Sequence, residues 1–93
     1  LCVGHTHQPF VLEAGGRRVL NPGSVGQPRD GDPRAAYAVI EDGRIELKRV
    51  PYDIEETLLQ TRTTRVEPWV VELTAALLRS GGGLTREQMD AFR

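Results

Sequence analysis

Residues 1–10 read Leu-Cys-Val-Gly-His-Thr-His-Gln-Pro-Phe, an apolar run that leads through a glycine into two histidines. His5 and His7 are the only histidines of the 93 residues. In an extended strand, side chains two residues apart share one face, with their Cα atoms about 6.6 Å apart. Neutral imidazole is a ligand for divalent transition metals. The segment therefore predicts a buried strand that ends near Gly4 and presents two metal ligands. The alternative is an exposed strand end without a ligand, because short motifs often occur by chance.

Turn residues divide the following segment into short strands. Asp42-Gly43 is a strong hairpin signal, and Asn21-Pro22-Gly23 predicts a type II turn, in which proline fixes φ and glycine supplies a positive φ. Ile45 and Leu47 alternate with polar residues, which indicates a strand with one buried face. The sequence predicts strands near residues 1–4, 10–13, 17–20, 35–41 and 44–50.

The last forty residues predict helices. Asp53 and Glu56 form a capping-box pattern at the start of a helix that carries Ile54, Leu58 and Leu59. Residues 61–65 are polar and are interpreted as a linker. A second helix is predicted from Pro68 to the glycines at 81–83, and a second capping box from Thr85 and Gln88. The helix that begins at Pro68 carries an apolar stripe, which consists of Trp69, Val70, Leu73, Ala76 and Leu77.

The predicted role of that apolar stripe is ordinary core packing, which is how most amphipathic helices bury such a face. The alternative is a dimerisation or regulatory surface. A dimerisation surface would bind a second copy of the chain in a homo-oligomer.

Three motifs in succession resemble a known family. Gly4-His5-Thr6-His7 is followed by Asn21-Pro22-Gly23-Ser24-Val25 and then by Pro28-Arg29. This order resembles the C-terminal part of the calcineurin-like metallophosphoesterases, and more narrowly their small bacterial and archaeal phosphodiesterase branch. The resemblance covers residues 1–52 and implies an α/β fold. The chain would form the C-terminal part of an αββα sandwich, with mixed β-sheet strands followed by C-terminal helices. The expected division is a metallophosphoesterase part at 1–60 and a helical C-terminal extension at 61–93.

The resemblance also implies a dinuclear metal centre. His5 and His7 are then catalytic residues and ligands of two divalent metal ions, which are manganese, iron, nickel or zinc. By analogy, His7 completes the site built around the family's first Asp-x-His motif, and His5 completes the other site. The family's earlier ligand motifs, D-x-H and G-N-H-[DE], do not occur in these 93 residues. We therefore expect the chain to be an excerpt of a longer polypeptide.

Three further residues are candidates for supporting or substrate-binding roles. The resemblance places the 21–29 loop beside the metal cleft, where Asn21 and Ser24 are expected to hold the histidine segment by hydrogen bonds. Arg29 is expected to contact a substrate phosphate, because a guanidinium matches phosphate oxygens bidentately. The competing interpretation pairs Arg29 with Asp30 or Asp32 in a solvated loop, and the sequence leaves both open.

Composition excludes several classes of protein. The 12 Lys and Arg residues against 13 Asp and Glu residues give a net charge of -1, so no basic patch indicates nucleic-acid binding. No apolar run reaches the ~18 residues of a membrane span, and no signal segment is present. Cys2 cannot form an internal disulfide, and it is expected to be a small buried hydrophobe in a reducing compartment. These features predict a cytoplasmic protein without a membrane partner.

Three functions follow as expectations. The first is a metal-dependent phosphodiesterase or phosphatase that acts on a nucleotide or another small phosphoester. The second is a metallophosphoesterase fold that binds proteins without catalysis. The third is an independent small metal-binding or interaction module, which is disfavoured because two histidines fall short of the four ligands of a structural zinc site.

Overall fold

The computed structural model describes all of residues 1–93 as two β-hairpins followed by three helices. The predicted α/β class and the order of strands before helices are confirmed. None of the three helices is long and apolar enough to cross a membrane. The elements are β1 (Phe10–Ala14), β2 (Arg17–Asn21), β3 (Ala35–Glu41), β4 (Arg44–Val50), α1 (Ile54–Thr61), α2 (Pro68–Ser80) and α3 (Arg86–Asp90).

Both hairpins close through two-residue turns. Ala14 pairs with Arg17 in the first antiparallel hairpin, and Glu41 pairs with Arg44 in the second. The turn residues have positive φ: 58° and 75° at residues 15 and 16, and 50° and 75° at residues 42 and 43. Two left-handed residues in succession match the twist of the flanking strands, and glycine or aspartate tolerates this conformation well. The hairpin predicted from Asp42-Gly43 is therefore confirmed.

Residues 1–4 differ from the expected buried strand. A single parallel bridge joins Cys2 to Leu20, and the backbone N–H groups of Val3 and Leu20 donate to the carbonyls of Leu20 and Leu1, both at 2.8 Å. Leu1 is 83% exposed, and Cys2 is also exposed. The prediction of a buried Cys2 is wrong in this structure, because the segment pairs with β2 alone and no second layer covers its side chains.

The core between the helices is small. Leu58 of α1 packs against Ala75 and Leu78 of α2, with Ile54 beside them, and Leu58 is only 2% exposed. The fully buried residues of α2 are Val71, Ala75 and Leu78, none of which belongs to the predicted stripe. That stripe is partly exposed. Because most of the surface of α2 is apolar, the position of α1 decides which of its apolar residues are buried.

The helix caps follow the sequence closely, with one difference. Both capping-box bonds of α3 form, at 3.1 Å into the Thr85 hydroxyl and 2.9 Å into the Gln88 side chain. At α1, Asp53 accepts from the backbone N–H of Glu56 at 3.0 Å, but the reciprocal bond from the Asp53 N–H to the Glu56 side chain is missing. The reason lies in the backbone, since Thr85 is extended at ψ 161° whereas Asp53 has ψ 88°. A capping box needs the extended conformation at its first residue.

The end of α2 docks directly on the loop that follows β2. Gly81 ends the helix with φ 62°, and its carbonyl accepts a hydrogen bond from Gly31 at 3.0 Å. A Cβ atom on Gly81 would lie 2.5 Å from the carbonyl carbon of Asp32, and one on Gly82 would lie 2.5 Å from the carbonyl oxygen of Pro28. The boundary at residue 60 stays a prediction, and the structure brings the segments on its two sides into contact.

Candidate metal centre

The histidine segment bends instead of continuing as a strand. His5 has φ 77° and His7 has φ 60°, so both occupy the left-handed region. Few non-glycine residues adopt this conformation, although histidine does so more readily than most. The predicted placement of both side chains on one face of a strand is therefore wrong. Two strained residues within three positions persist only where surrounding contacts hold them, and such strain often marks functional segments.

The contacts of His7 set its ring chemistry. Its Nδ1 lies 2.9 Å from the carbonyl oxygen of Gln27. Since a carbonyl only accepts hydrogen bonds, Nδ1 carries the proton, and the neutral ring keeps an unprotonated Nε2. Metal-binding histidines are commonly oriented in this way, with one ring nitrogen donating to the protein and the other free for the ion. His7 is half-buried, which limits the freedom of its ring.

His5 is exposed, and its ring has no hydrogen-bond partner in the protein. No group of three or more His, Cys, Asp or Glu side chains is assembled to hold a metal ion. Imidazole is a transition-metal ligand, but two imidazoles by themselves fall short of a complete ligand set.

Asn21, at the end of β2, links the histidine segment to the next turn. Its side chain is fully buried, with 0% exposure. The amide nitrogen donates to the carbonyl of Gly4 at 3.4 Å and to the hydroxyl of Thr6 at 3.1 Å, while the amide oxygen accepts from the Gly23 N–H at 2.9 Å. Asn21 therefore holds the residues on both sides of His5, Gly4 through its backbone and Thr6 through its side chain. A role for Asn21 in metal binding stays a prediction.

Ser24 supports the site indirectly, through Gln27. Its hydroxyl accepts from the backbone N–H of Gln27 at 2.9 Å, and its carbonyl accepts from Ala36 of β3 at 2.9 Å. The predicted direct hydrogen bond from Ser24 to residues 4–7 is not formed, because its hydroxyl and carbonyl bond to Gln27 and Ala36. Ser24 instead fixes the turn whose Gln27 carbonyl meets His7. Gln27 was not predicted as a site residue, since a backbone carbonyl leaves no signal in the residue type.

The two aspartates of the loop pair with arginines other than Arg29. Asp30 forms an ion pair with Arg49 of β4, and Asp32 pairs with Arg34 at 2.7 Å. Hydrogen bonds from the side chain and backbone of Arg34 lower the pKa of Asp32 to about 2, and Arg49 adds to this effect. Asp32 is therefore ionised at neutral pH. The predicted alternative in which Arg29 pairs with Asp30 or Asp32 is wrong, because these other arginines occupy both carboxylates.

Arg29 consequently has no ion pair and no side-chain hydrogen bond within the protein, and it is exposed. Only its backbone is engaged, since its carbonyl accepts from the side chain of Gln8 at 2.9 Å. This bond and the one from His7 to Gln27 attach the histidine segment to loop 25–29 at two points. The guanidinium therefore offers an uncompensated positive charge within two residues of the carbonyl that holds His7.

Comparisons with known proteins identify a family model and two proteins that this chain resembles. Residues 1–43 match the family model for the calcineurin-like phosphoesterase superfamily domain. An uncharacterized protein of Methanocaldococcus jannaschii is 37% identical over 87 residues, in a match that covers 75% of this chain and 36% of that protein. The crystal structure of a metallophosphoesterase from Sphaerobacter thermophilus superposes with a TM-score of 0.69 at 36% identity, covering 86% of this chain and 41% of that one. The chain thus spans about two fifths or less of the relatives that it matches.

Asn21→Ala in the full-length protein is expected to lower the free energy of unfolding by about 2 kcal/mol, because it removes three hydrogen bonds from a buried site and leaves polar backbone groups unsatisfied. Metal affinity should fall by about 10- to 100-fold, as it does when a residue that orients a ligand is lost. Denaturant unfolding and metal titration measure the two effects. Ser24→Ala is the control, because it removes one exposed hydrogen bond of the same loop. It should lower the free energy of unfolding and the metal affinity by less than Asn21→Ala does. An unchanged unfolding midpoint for Asn21→Ala would show that these bonds do not stabilise the segment.

Proposed function

Because this chain belongs to the calcineurin-like phosphoesterase superfamily, we propose that it supplies His5 and His7 to a dinuclear metal centre that hydrolyses phosphoesters. The other ligands of this centre come from outside the 93 residues, since no third metal-binding side chain joins the two histidines. The ions are manganese, iron, nickel or zinc, all of which accept imidazole ligands. The activity is that of a metal-dependent phosphodiesterase or phosphatase.

The hydrogen bond between His7 Nδ1 and the Gln27 carbonyl is the observation that carries this proposal. It leaves Nε2 as the metal-binding atom and fixes the ring against a loop that is itself braced by Ser24. A bound divalent ion supplies electrophilic stabilisation of the charge that develops on a phosphoester during hydrolysis. The contribution of this chain is to hold the imidazoles in place before substrate arrives.

Arg29 binds the substrate phosphate in this proposal. The two nearby carboxylates are occupied by Arg34 and Arg49, so no internal anion competes for the Arg29 guanidinium. A guanidinium places two parallel N–H donors against phosphate oxygens. The substrate is therefore a small phosphoester or nucleotide whose phosphate lies between Arg29 and the histidine segment.

Hydrolysis of bis-p-nitrophenyl phosphate tests the proposal. The full-length protein, stripped with chelator and reloaded with manganese, is expected to regain activity that the stripped protein lacks. The 93-residue segment alone should be inactive and bind divalent ions weakly, because two imidazoles cannot replace a complete ligand set. Metal-dependent hydrolysis by the segment alone would contradict the claim that further ligands lie elsewhere. If the full-length protein showed no hydrolysis with any of the four metals, a non-catalytic binding scaffold would be the better explanation.

A further inference from the structure

An open groove of about 610 Å³ lies between loop 25–29 and the helices α1 and α2. Its volume is within the range of sites that hold small molecules. Loop 25–29 forms one wall, and the other walls come from Tyr52, from α1 through Thr57, and from α2 through Leu77. The groove is larger than the cavity of about 330 Å³ beside the β3–β4 hairpin.

The groove shares a wall with the candidate metal centre. Gln27 and Arg29 both line the groove, and the same two residues hold the histidine segment through their carbonyls. Because Arg29 belongs to this shared wall, an anion bound by its unpaired guanidinium is beside the groove. The organic group attached to that anion then has the groove within reach.

The remaining walls are mainly apolar. The hydroxyls of Thr61 and Thr74 donate to helix carbonyls, at 3.0 Å to Thr57 and 2.8 Å to Val70, so they are already engaged. Leu77 and Val25 add aliphatic surface, and Val25 is 67% exposed. Tyr52 adds an aromatic ring whose hydroxyl makes no hydrogen bond within the protein. Apolar walls with one aromatic ring and one cation favour a flat apolar group attached to an anion.

We propose that the groove binds an aromatic ring, which is the organic group esterified to the phosphate that Arg29 holds. The proposal rests on the proposed function and narrows its substrates to phosphoesters that carry an aromatic ring. Charge complementarity with Arg29 places the phosphate at loop 25–29, and the apolar walls of α1 and α2 receive the ring.

Binding of two phosphonates separates the ring from the anion. Phenylphosphonate and methylphosphonate carry the same anionic head group and differ in the ring. In calorimetric titrations of the metal-loaded full-length protein, phenylphosphonate is expected to bind at least about tenfold more tightly, because the ring buries additional apolar surface.

Thr57→Trp fills the groove from α1 and is expected to reduce this preference to about twofold or less. Thr57 is exposed, so a larger side chain does not disturb the helix core. The affinity for methylphosphonate should change little. Gln60→Trp is the matched control, because Gln60 is exposed on the same helix but does not line the groove. Leu77→Ala is a second variant that removes apolar wall without adding bulk, and it should also weaken the preference.

Each outcome decides the proposal. Equal affinities for the two phosphonates in the unmodified protein would overturn it, as would an undiminished preference in both Thr57→Trp and Leu77→Ala. Loss of thermal stability in Thr57→Trp, together with no ring preference in the unmodified protein, would show that another part of the polypeptide fills the groove. A ring preference without any hydrolysis would support the groove and refute the phosphoesterase activity. Hydrolysis without a ring preference would support the phosphoesterase activity and refute the proposed role of the groove.

Discussion

His7→Ala in the full-length protein is expected to lower metal-dependent hydrolysis of bis-p-nitrophenyl phosphate by at least about 100-fold, and His5→Ala should have a similar effect. Removal of a metal ligand displaces an ion that contributes several kcal/mol to transition-state stabilisation. His7 should be the more sensitive of the two, because its ring is held by Gln27 and is already placed for an ion. Metal content, measured by atomic emission, should fall together with the rate.

The backbone requires a second pair of variants. His5 and His7 have φ 77° and 60°, and alanine tolerates such values less well than histidine. His5→Asn and His7→Asn keep a residue that accepts the left-handed conformation while removing the imidazole. We expect these variants to fold normally and to lose activity as the alanine variants do.

Arg29→Ala provides the contrast. Its side chain forms no ion pair or hydrogen bond within the protein, so metal content should be unchanged while KM rises or kcat falls modestly. If both histidine variants kept their metal and near-native rates, His5 and His7 would not be ligands, and the binding scaffold would be the better explanation.

Gly82→Ala is expected to lower the free energy of unfolding by at least about 3 kcal/mol. The added Cβ would lie 2.5 Å from the Pro28 carbonyl oxygen and 2.7 Å from the Arg29 Cα, at a residue with φ 76°. The substitution therefore combines a steric clash against backbone with backbone strain. Since the displaced residues adjoin Gln27, metal affinity should fall as well. Gly81→Ala should behave similarly, because its Cβ would meet three backbone atoms of Asp32 within 2.7 Å.

Gly26→Ala is the matched control for this substitution. Gly26 lies in loop 25–29, which Gly82 contacts, but it has no positive φ and has open space where a Cβ would be placed. Its replacement is expected to leave stability unchanged or slightly raised, since alanine restricts the unfolded chain. Denaturant unfolding and metal titration of the three variants measure the difference. If Gly82→Ala unfolded at the same denaturant concentration as Gly26→Ala, residues 61–93 would be a separable extension that does not support the loop.

The contact between α2 and the loop was not predictable from the sequence. Gly81 and Gly82 were interpreted as a helix stop, which is correct for Gly81 but incomplete. Their second property, a close approach of two backbones, depends on where the helix lies in space. The same holds for the buried face of α2, where the arrival of Leu58 makes Ala75 and Leu78 the core positions.

Local chemistry explains what the sequence by itself determined. The hairpin at Asp42-Gly43, the ends of α2 at Pro68 and Gly81, and the capping box of Thr85 and Gln88 depend on neighbouring residues within about four positions. Such features are formed by the backbone conformations that each residue type allows. They were therefore predicted correctly, and the order of strands and helices followed from them.

Tertiary structure decided the rest, because the remaining contacts join residues far apart in sequence. The Gln27 carbonyl selects the proton position on His7, Arg49 of β4 takes the Asp30 carboxylate beside Arg29, and a single neighbouring strand leaves Cys2 exposed. Hydrogen bonds and ion pairs of this kind depend on distance in space, which residue type and spacing along the chain do not specify. The sequence thus named the candidate residues His5, His7 and Arg29, and the fold determined which of their side chains has a partner: His7 bonds to Gln27, whereas His5 and Arg29 stay unpaired.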